Sequence, residues 1–249
     1  SDYLKADSFY RGFSWAPNVT FFSEEKVTCV KDLKSDVYVY GMSYEHPQIA
    51  ERLYDNIRPV LREGVHILMA HGGDEGHCPV NVPALAGAGF DYIALGHLHT
   101  PQSITRDTAA YCGAPEPVSS NDFGKHGYIE GRIENGRVRT RFVPFSTRIY
   151  SQLLINVNEE STQLSVEEAL KDEIFKRGGL NIYRVILQGK RKPELLLIPE
   201  RLKAFGNITE VLDETVPDYD LEALQRQYAG TLIGDYISYF QGKNRNTVE

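Results

Sequence analysis

The chain has 249 residues, 41% hydrophobic and 24% charged, which fits one large or two modest globular domains, so disorder is not the default. Its formal net charge of -7 excludes a protein that grips nucleic acid by bulk positive charge. Three scattered cysteines (Cys29, Cys78, Cys112) make neither a disulfide framework nor a zinc ribbon and suit a reducing cytoplasm, and no apolar run approaches the roughly 18 residues of a membrane span.

The chain opens on Ser1-Asp2-Tyr3, with no methionine and no opening strand, which reads as an edge cut from a longer chain. Val27–Val30 and Val37–Tyr40 read as short strands, rich in Val and Tyr, around a charged turn. From Gln48 to Arg62, Ile49, Leu53, Ile57, Val60 and Leu61 recur every three or four residues and predict an amphipathic helix, with Pro47 ahead of it and Pro59 bending its end. Val65–Ala70 is a nearly continuous apolar run, expected as a strand buried on both faces, and it stops at His71-Gly72-Gly73. A short helix over Val82–Ala88 leads to a second buried strand, Asp91–Leu95, which stops at Gly96-His97-Leu98-His99. Further strands are predicted over Ala109–Cys112, Gly127–Ile133 and Val138–Val143, the last two joined by a hairpin turn at Asn135-Gly136.

Near Pro144–Tyr150 the pattern changes to strand (Gln152–Val157), helix (Val166–Lys176), strand (Ile182–Leu187), helix (Pro193–Ala204), strand (Ile208–Leu212) and helix (Leu221–Phe240). This alternation predicts a small α/β unit with its own core, and places a domain boundary near residue 148. The last helix carries Leu221, Leu224, Tyr228, Leu232, Tyr236 and Phe240 on one stripe, which either packs on that unit's own sheet or docks a partner, the former being the ordinary expectation.

Three of the seven histidines share one setting. His71 follows one buried strand, and His97 and His99 follow another. Ligand sites in open α/β sheets form outside the carboxyl ends of strands, so two neighbouring strand ends would bring these imidazoles to one rim. Residues two apart in an extended segment point to the same side, so His97 and His99 can serve two cations about 3.5–4 Å apart, as in two-metal hydrolytic sites. The other histidines carry a plainer reading. His46 lies in a turn before Pro47, His66 lies within a strand, and His126 lies in a polar loop. His77, beside Cys78, suggests a soft-metal site with His71, but four ligands for a closed zinc site cannot be named.

At these residues the chain resembles a known family. DYIALGHLHTPQ, from Asp91 to Gln102, looks like the last metal motif of the calcineurin-like metallophosphoesterases, in the form seen in SbcD-like double-strand-break-repair nucleases. LMAHGG resembles the motif before it. The segments from Tyr111 to Val138 and from Phe142 to Tyr150 resemble the loop and closing strands that follow. LNIYRVILQG and EVLDETVP are similar to the C-terminal domain of bacterial DNA repair exonucleases of this type. The resemblance implies an α/β fold: over 1–148 the C-terminal portion of a metallophosphoesterase β-sandwich with flanking helices, and over 149–249 a small α/β domain. It implies that His71 and His97 bind one metal ion and His99 the other, with manganese preferred. It places Gly113, Pro115 and Glu116 in a loop near the substrate, with Cys112 where relatives usually carry proline. It also implies DNA as substrate and an SMC-like ATPase as partner for the parent protein, with no membrane association.

The family's earlier motifs, D-x-H, G-D and G-N-H-D, are absent from this sequence, and Asp2-Tyr3 resembles the end of the third. The bridging aspartate, the asparagine ligand and the catalytic histidine would then lie upstream of Ser1. No catalytic residue is therefore assigned within the chain, and the chain alone is expected to hold two cations poorly and to have little or no phosphodiesterase activity. A phosphoesterase acting on a nucleotide or other small phosphoester uses the same metal chemistry, and a non-catalytic module that binds DNA or a partner is the third reading. There is no Walker-type glycine loop, nucleophile elbow or Rossmann fingerprint, so P-loop, serine-hydrolase and NAD chemistry fit poorly.

Overall fold

The computed structural model describes residues 3–32, 34–60 and 63–245. The chain divides into two compact units, Ser1–Tyr150 and Ser151–Glu249.

The first unit begins with a single helical turn, α1 (Phe9–Gly12), and is built on a six-stranded sheet. Its strands are β1 (Thr28–Lys31), β2 (Val37–Gly41), β3 (Val65–His71), β4 (Tyr92–Gly96), β5 (Gln102–Thr105) and β6 (Ala109–Tyr111), in the order β1-β2-β3-β4-β6-β5. β2, β3, β4 and β6 run parallel, while β1 and β5 close the two edges antiparallel. Between β3 and β4 the chain crosses through α2 (Val82–Ala86), capped by the Asn81 side chain. Leu68 and Ala70 of β3 and Ile93 and Leu95 of β4 face a core completed by Tyr54, Leu85 and Phe90. Burial alternates along both strands, and Met69 on the opposite face of β3 is exposed. Within this chain the expectation of strands buried on both faces is not met, since helix and loop cover one face of the sheet far more fully than the other. The hairpin of β7 (Gly127–Glu134) and β8 (Arg137–Pro144) turns at Asn135-Gly136 and is tied to the β5–β6 connection by Asp107, which accepts from Thr140 N at 2.6 Å and from its hydroxyl at 3.1 Å.

The helix expected over 48–62 does not form; Leu61 and Arg62 lie outside the described residues. Most of its apolar residues do face the core, with Ile49 and Tyr54 buried and Leu53 and Ile57 packed beside them, while Val60 is exposed. The backbone, however, bonds elsewhere. Cys78 N donates to Ile49 O at 2.7 Å and Val60 N to the Tyr40 hydroxyl at 3.0 Å, so the segment drapes over the core as turns.

The second unit holds a three-stranded sheet, β11-β10-β9, from β9 (Tyr150–Val157), β10 (Ile182–Arg191) and β11 (Asn207–Pro217), the last two parallel. Helix α3 (Gln163–Arg177) starts in a capping box between Thr162 and Ser165 and packs Val166, Leu170 and Ile174 on Leu153, Ile155, Tyr183, Val185 and Leu187. Glu167 is buried and satisfied, receiving Arg201 at 2.9 Å and Gln163 at 2.8 Å.

Two helices expected here are corrected. That over 193–204 shrinks to α4 (Pro199–Lys203), because Ile198 is extended before a proline and the stretch ahead of it turns, with Leu195 N donating to Lys192 O at 3.1 Å. That over 221–240 breaks into α5 (Leu221–Gln227) and α6 (Leu232–Arg245) at Gly230, whose φ is +74°. The break turns the stripe outward: Leu232 is 87% exposed and Tyr236 is exposed, so neither packs on the sheet, and the side chain of Phe240 lies outside those described.

Candidate metal centre

Parallel pairing of β3 with β4 sets His71 opposite Gly96, so His97 emerges one residue beyond the same rim. A Cβ on Gly96 would meet His71 Nδ1 at 3.0 Å, so the missing side chain lets the His71 ring lie across the strand end. His97 adopts φ 110°, a conformation that bulky residues rarely take and that marks a strained strand end. The turn bends its ring back toward His71, with ring centroids 5.4 Å apart and the planes at 74°. His71, His97 and His99 all line one cavity of about 760 Å³.

Sequence reasoning missed the carboxylates. Asp74 lies on the loop after Gly72-Gly73 and bridges two imidazoles: His97 Nε2 stands 2.8 Å from Asp74 Oδ2, and His77 Nδ1 stands 2.7 Å from Asp74 Oδ1. Hydrogen bonds from His97 and His77 hold the Asp74 carboxyl down to about 2, so it is ionised and accepts from both rings. That leaves His97 Nδ1 and His77 Nε2 as the ring atoms not taken up by Asp74. His77, set aside in the sequence reading, thus joins His97, their ring centroids 5.0 Å apart. The signal available was local: His71-Gly72-Gly73-Asp74 with His77 three residues on puts two further donors on the turn that follows a metal-type histidine.

His99 is held from the other side. Its Nδ1 lies 3.3 Å from Asp122 Oδ2, and the same oxygen accepts from Val118 N and Ser119 N, both at 2.9 Å. Burial would raise the Asp122 pKa, but these amides and His99 outweigh it and hold the carboxyl below its ordinary value. His71 reaches solvent at the cavity, yet desolvation of its ring and the neighbouring His97 lower its pKa to about 4, so it is neutral near pH 7.

Of the expected substrate loop, Gly113 lines the cavity, and Ala114 N donates to His99 O at 2.8 Å. Pro115 and Glu116 are exposed away from the cavity wall, and Glu116 Oε1 accepts from Thr147 N and its hydroxyl at 2.8 and 3.0 Å. Of the remaining histidines, His66 is buried against the Tyr40 hydroxyl, His46 pairs with Glu25, and His126 is fully buried between the carbonyls of Ala114 and Asp122.

The donor set suits a divalent cation of mixed nitrogen and oxygen preference. Asp74, His77 and His97 offer ligand atoms within 4.8 Å of one another. His99 with Asp122 offers a second, smaller set.

No family model matches the chain. A Bacillus subtilis (strain 168) protein named uncharacterized metallophosphoesterase YhaO is 28% identical over 229 residues, 86% of this chain and 53% of that protein. The chain is similar to a metallophosphoesterase. It spans about half the length of that relative. The α/β class expected from the sequence is present, and a multi-stranded sheet with flanking helices is consistent with a metallophosphoesterase fold. Among the described residues no helix is long and apolar enough to cross a membrane.

Proposed function

We propose that the chain is part of a metal-dependent phosphodiesterase that hydrolyses DNA phosphodiester bonds, of the DNA repair exonuclease type. The observation that carries the metal reading is the convergence of His71, His97 and His99 on one cavity at the ends of adjacent parallel strands. Likeness to a metallophosphoesterase supports a phosphoester as the bond broken.

In this reading His71 and His97 hold one divalent cation and His99 the other, with manganese the preferred ion. Asp74 orients His97 and supplies negative charge, and Asp122 fixes His99 in the tautomer that leaves Nε2 free. Two such ions would polarise the phosphodiester and lower the pKa of an attacking water. The chain's own residues set where the phosphate can sit: the rim of β3 and β4, beneath the loop that carries Gly113. Among the described residues no carboxylate stands between His97 and His99, and each carboxylate pairs with one side only. We therefore expect the 249-residue chain alone to hold the second ion weakly and to cleave little. The parent protein would act in the cytoplasm on DNA, with an SMC-like ATPase as partner.

The test is cleavage of end-labelled DNA, duplex and single-stranded, by the parent protein with Mn²⁺, compared with its His97→Ala variant. Manganese-dependent nucleotide release lost in the variant supports the reading. Hydrolysis confined to small phosphomonoesters would replace it with the small-substrate reading, and robust cleavage by the chain alone would overturn the expected weakness.

A further inference from the structure

The cavity that carries the histidines has a second wall of a different kind. Tyr10, Trp15 and Phe21, from the segment around α1, line it together with the strand-end histidines. Their rings lie nearly parallel: Tyr10 and Trp15 at 6.2 Å and 6°, Trp15 and Phe21 at 5.3 Å and 21°. Phe13 meets Trp15 edge-on at 5.0 Å.

These rings are not core. None belongs to the hydrophobic cluster of the first unit, and Tyr10 (49%) and Trp15 (37%) keep large exposed surfaces on a cavity wall. Their nearly parallel faces, on the cavity the histidines share, offer a planar ligand a surface to stack on. Nor is the wall loose. Arg11 Nε donates to Lys5 O at 3.1 Å and its guanidinium pairs with Glu45, Trp15 Nε1 donates to Tyr10 O at 3.3 Å, and Leu4 N is tied to Tyr44 O.

We propose that Tyr10, Trp15 and Phe21 form a base-stacking wall for unpaired nucleotides of a DNA strand, so that the protein works on single-stranded ends. This rests on the phosphodiesterase reading above and names its substrate form. A base stacked on the aromatic wall would leave its phosphodiester to reach the histidines across one cavity, and about 760 Å³ is ample for a nucleotide. Stacking tolerates any base, because each has a π face. It also supplies affinity that a chain of net charge -7 cannot draw from bulk attraction to phosphate. A base inside a duplex has both faces covered by its neighbours and could stack only after it is pulled out.

Trp15 is the single tryptophan of the chain, so its fluorescence reports on the wall without any label. The measurement is titration of the metal-free chain with a single-stranded oligothymidylate and with an abasic strand of equal length. Saturable quenching by the first, with at least about tenfold weaker binding of the second, is the expected result. Phe21→Ala should weaken oligothymidylate binding about 5- to 100-fold, and Tyr10→Phe, which keeps the ring, should leave it within about twofold. Circular dichroism checks that both variants are folded. Equal response to the two strands, or none to either, overturns the proposal. Because no metal is added, failure here leaves Mn²⁺-dependent cleavage to be judged separately. Quenching as expected, beside a parent protein that cleaves no DNA with Mn²⁺, would instead sink the phosphodiesterase reading and spare the wall.

Discussion

Asp74 Oδ2 lies 2.8 Å from His97 Nε2, on a loop that leaves the strand beside the one His97 follows. The same carboxylate takes His77 through its other oxygen, so one side chain fixes two rings at once.

A carboxylate that orients a ligating imidazole and adds to its basicity typically contributes about 10- to 100-fold in metal affinity. Asp74→Ala should therefore weaken Mn²⁺ binding by about that factor, while thermal stability changes little because the carboxylate is exposed. Isothermal titration calorimetry on the two proteins decides it. Unchanged affinity would mean that Asp74 only balances the histidines electrostatically in the absence of metal.

How much of this could be read in the sequence follows from how local each signal is. β3 and β4 announce themselves as apolar runs that end at histidines, and the parallel register then brings His71 to Gly96. The Asn135-Gly136 hairpin and the α3 sequence were equally legible, each set by its own residues. The segment over 48–62 was not, because the spacing that suggests a helix also arises when a loop lays its apolar side chains on a core. What settled it were backbone partners at Tyr40 and Cys78, remote in sequence. Asp122 was missed for the same reason, since it meets His99 23 positions away, whereas Asp74 offered a local signal in His77 three residues on.

Asp122 is nearly buried and takes the amides of Val118 and Ser119 as well as His99. Asp122→Ala would take away the charged acceptor shared by two part-buried N–H groups, at a cost of about 1–3 kcal/mol. We expect the variant to lose roughly that amount in urea unfolding and also to bind the second metal ion more weakly. Asp122→Asn keeps an acceptor oxygen for the loop and should recover most of the stability. If both variants unfold like the parent, the loop is held by something other than Asp122.

Asp107 anchors the β7–β8 hairpin and gives a pH signature. The Thr140 amide, then its hydroxyl, hold the Asp107 carboxyl below its ordinary value of 3.8. A carboxyl lowered in the folded state stabilises fully above its unfolded pKa and loses that contribution as pH falls through the folded one. The difference in melting temperature between the parent and Asp107→Ala should thus be constant from pH 7 down to about pH 5 and shrink below about pH 4. A difference that persists unchanged at pH 2 would assign the effect to packing and not to the charge.

Gly73 tests whether the turn after β3 is built for the metal centre. Its φ is +145°, and a Cβ there would overlap the Tyr111 hydroxyl, which donates to Gly72 O at 2.9 Å. Gly73→Ala therefore meets backbone strain and displaces Tyr111 together, a cost of about 2 kcal/mol or more. The loop that carries Asp74 and His77 hangs from this point, with Gly73 N donating to His77 O at 3.2 Å. The variant should lose both thermal stability and Mn²⁺ affinity. Loss of stability with unchanged affinity would place the metal wholly on His71, His97 and His99 and release the Asp74 loop from the site.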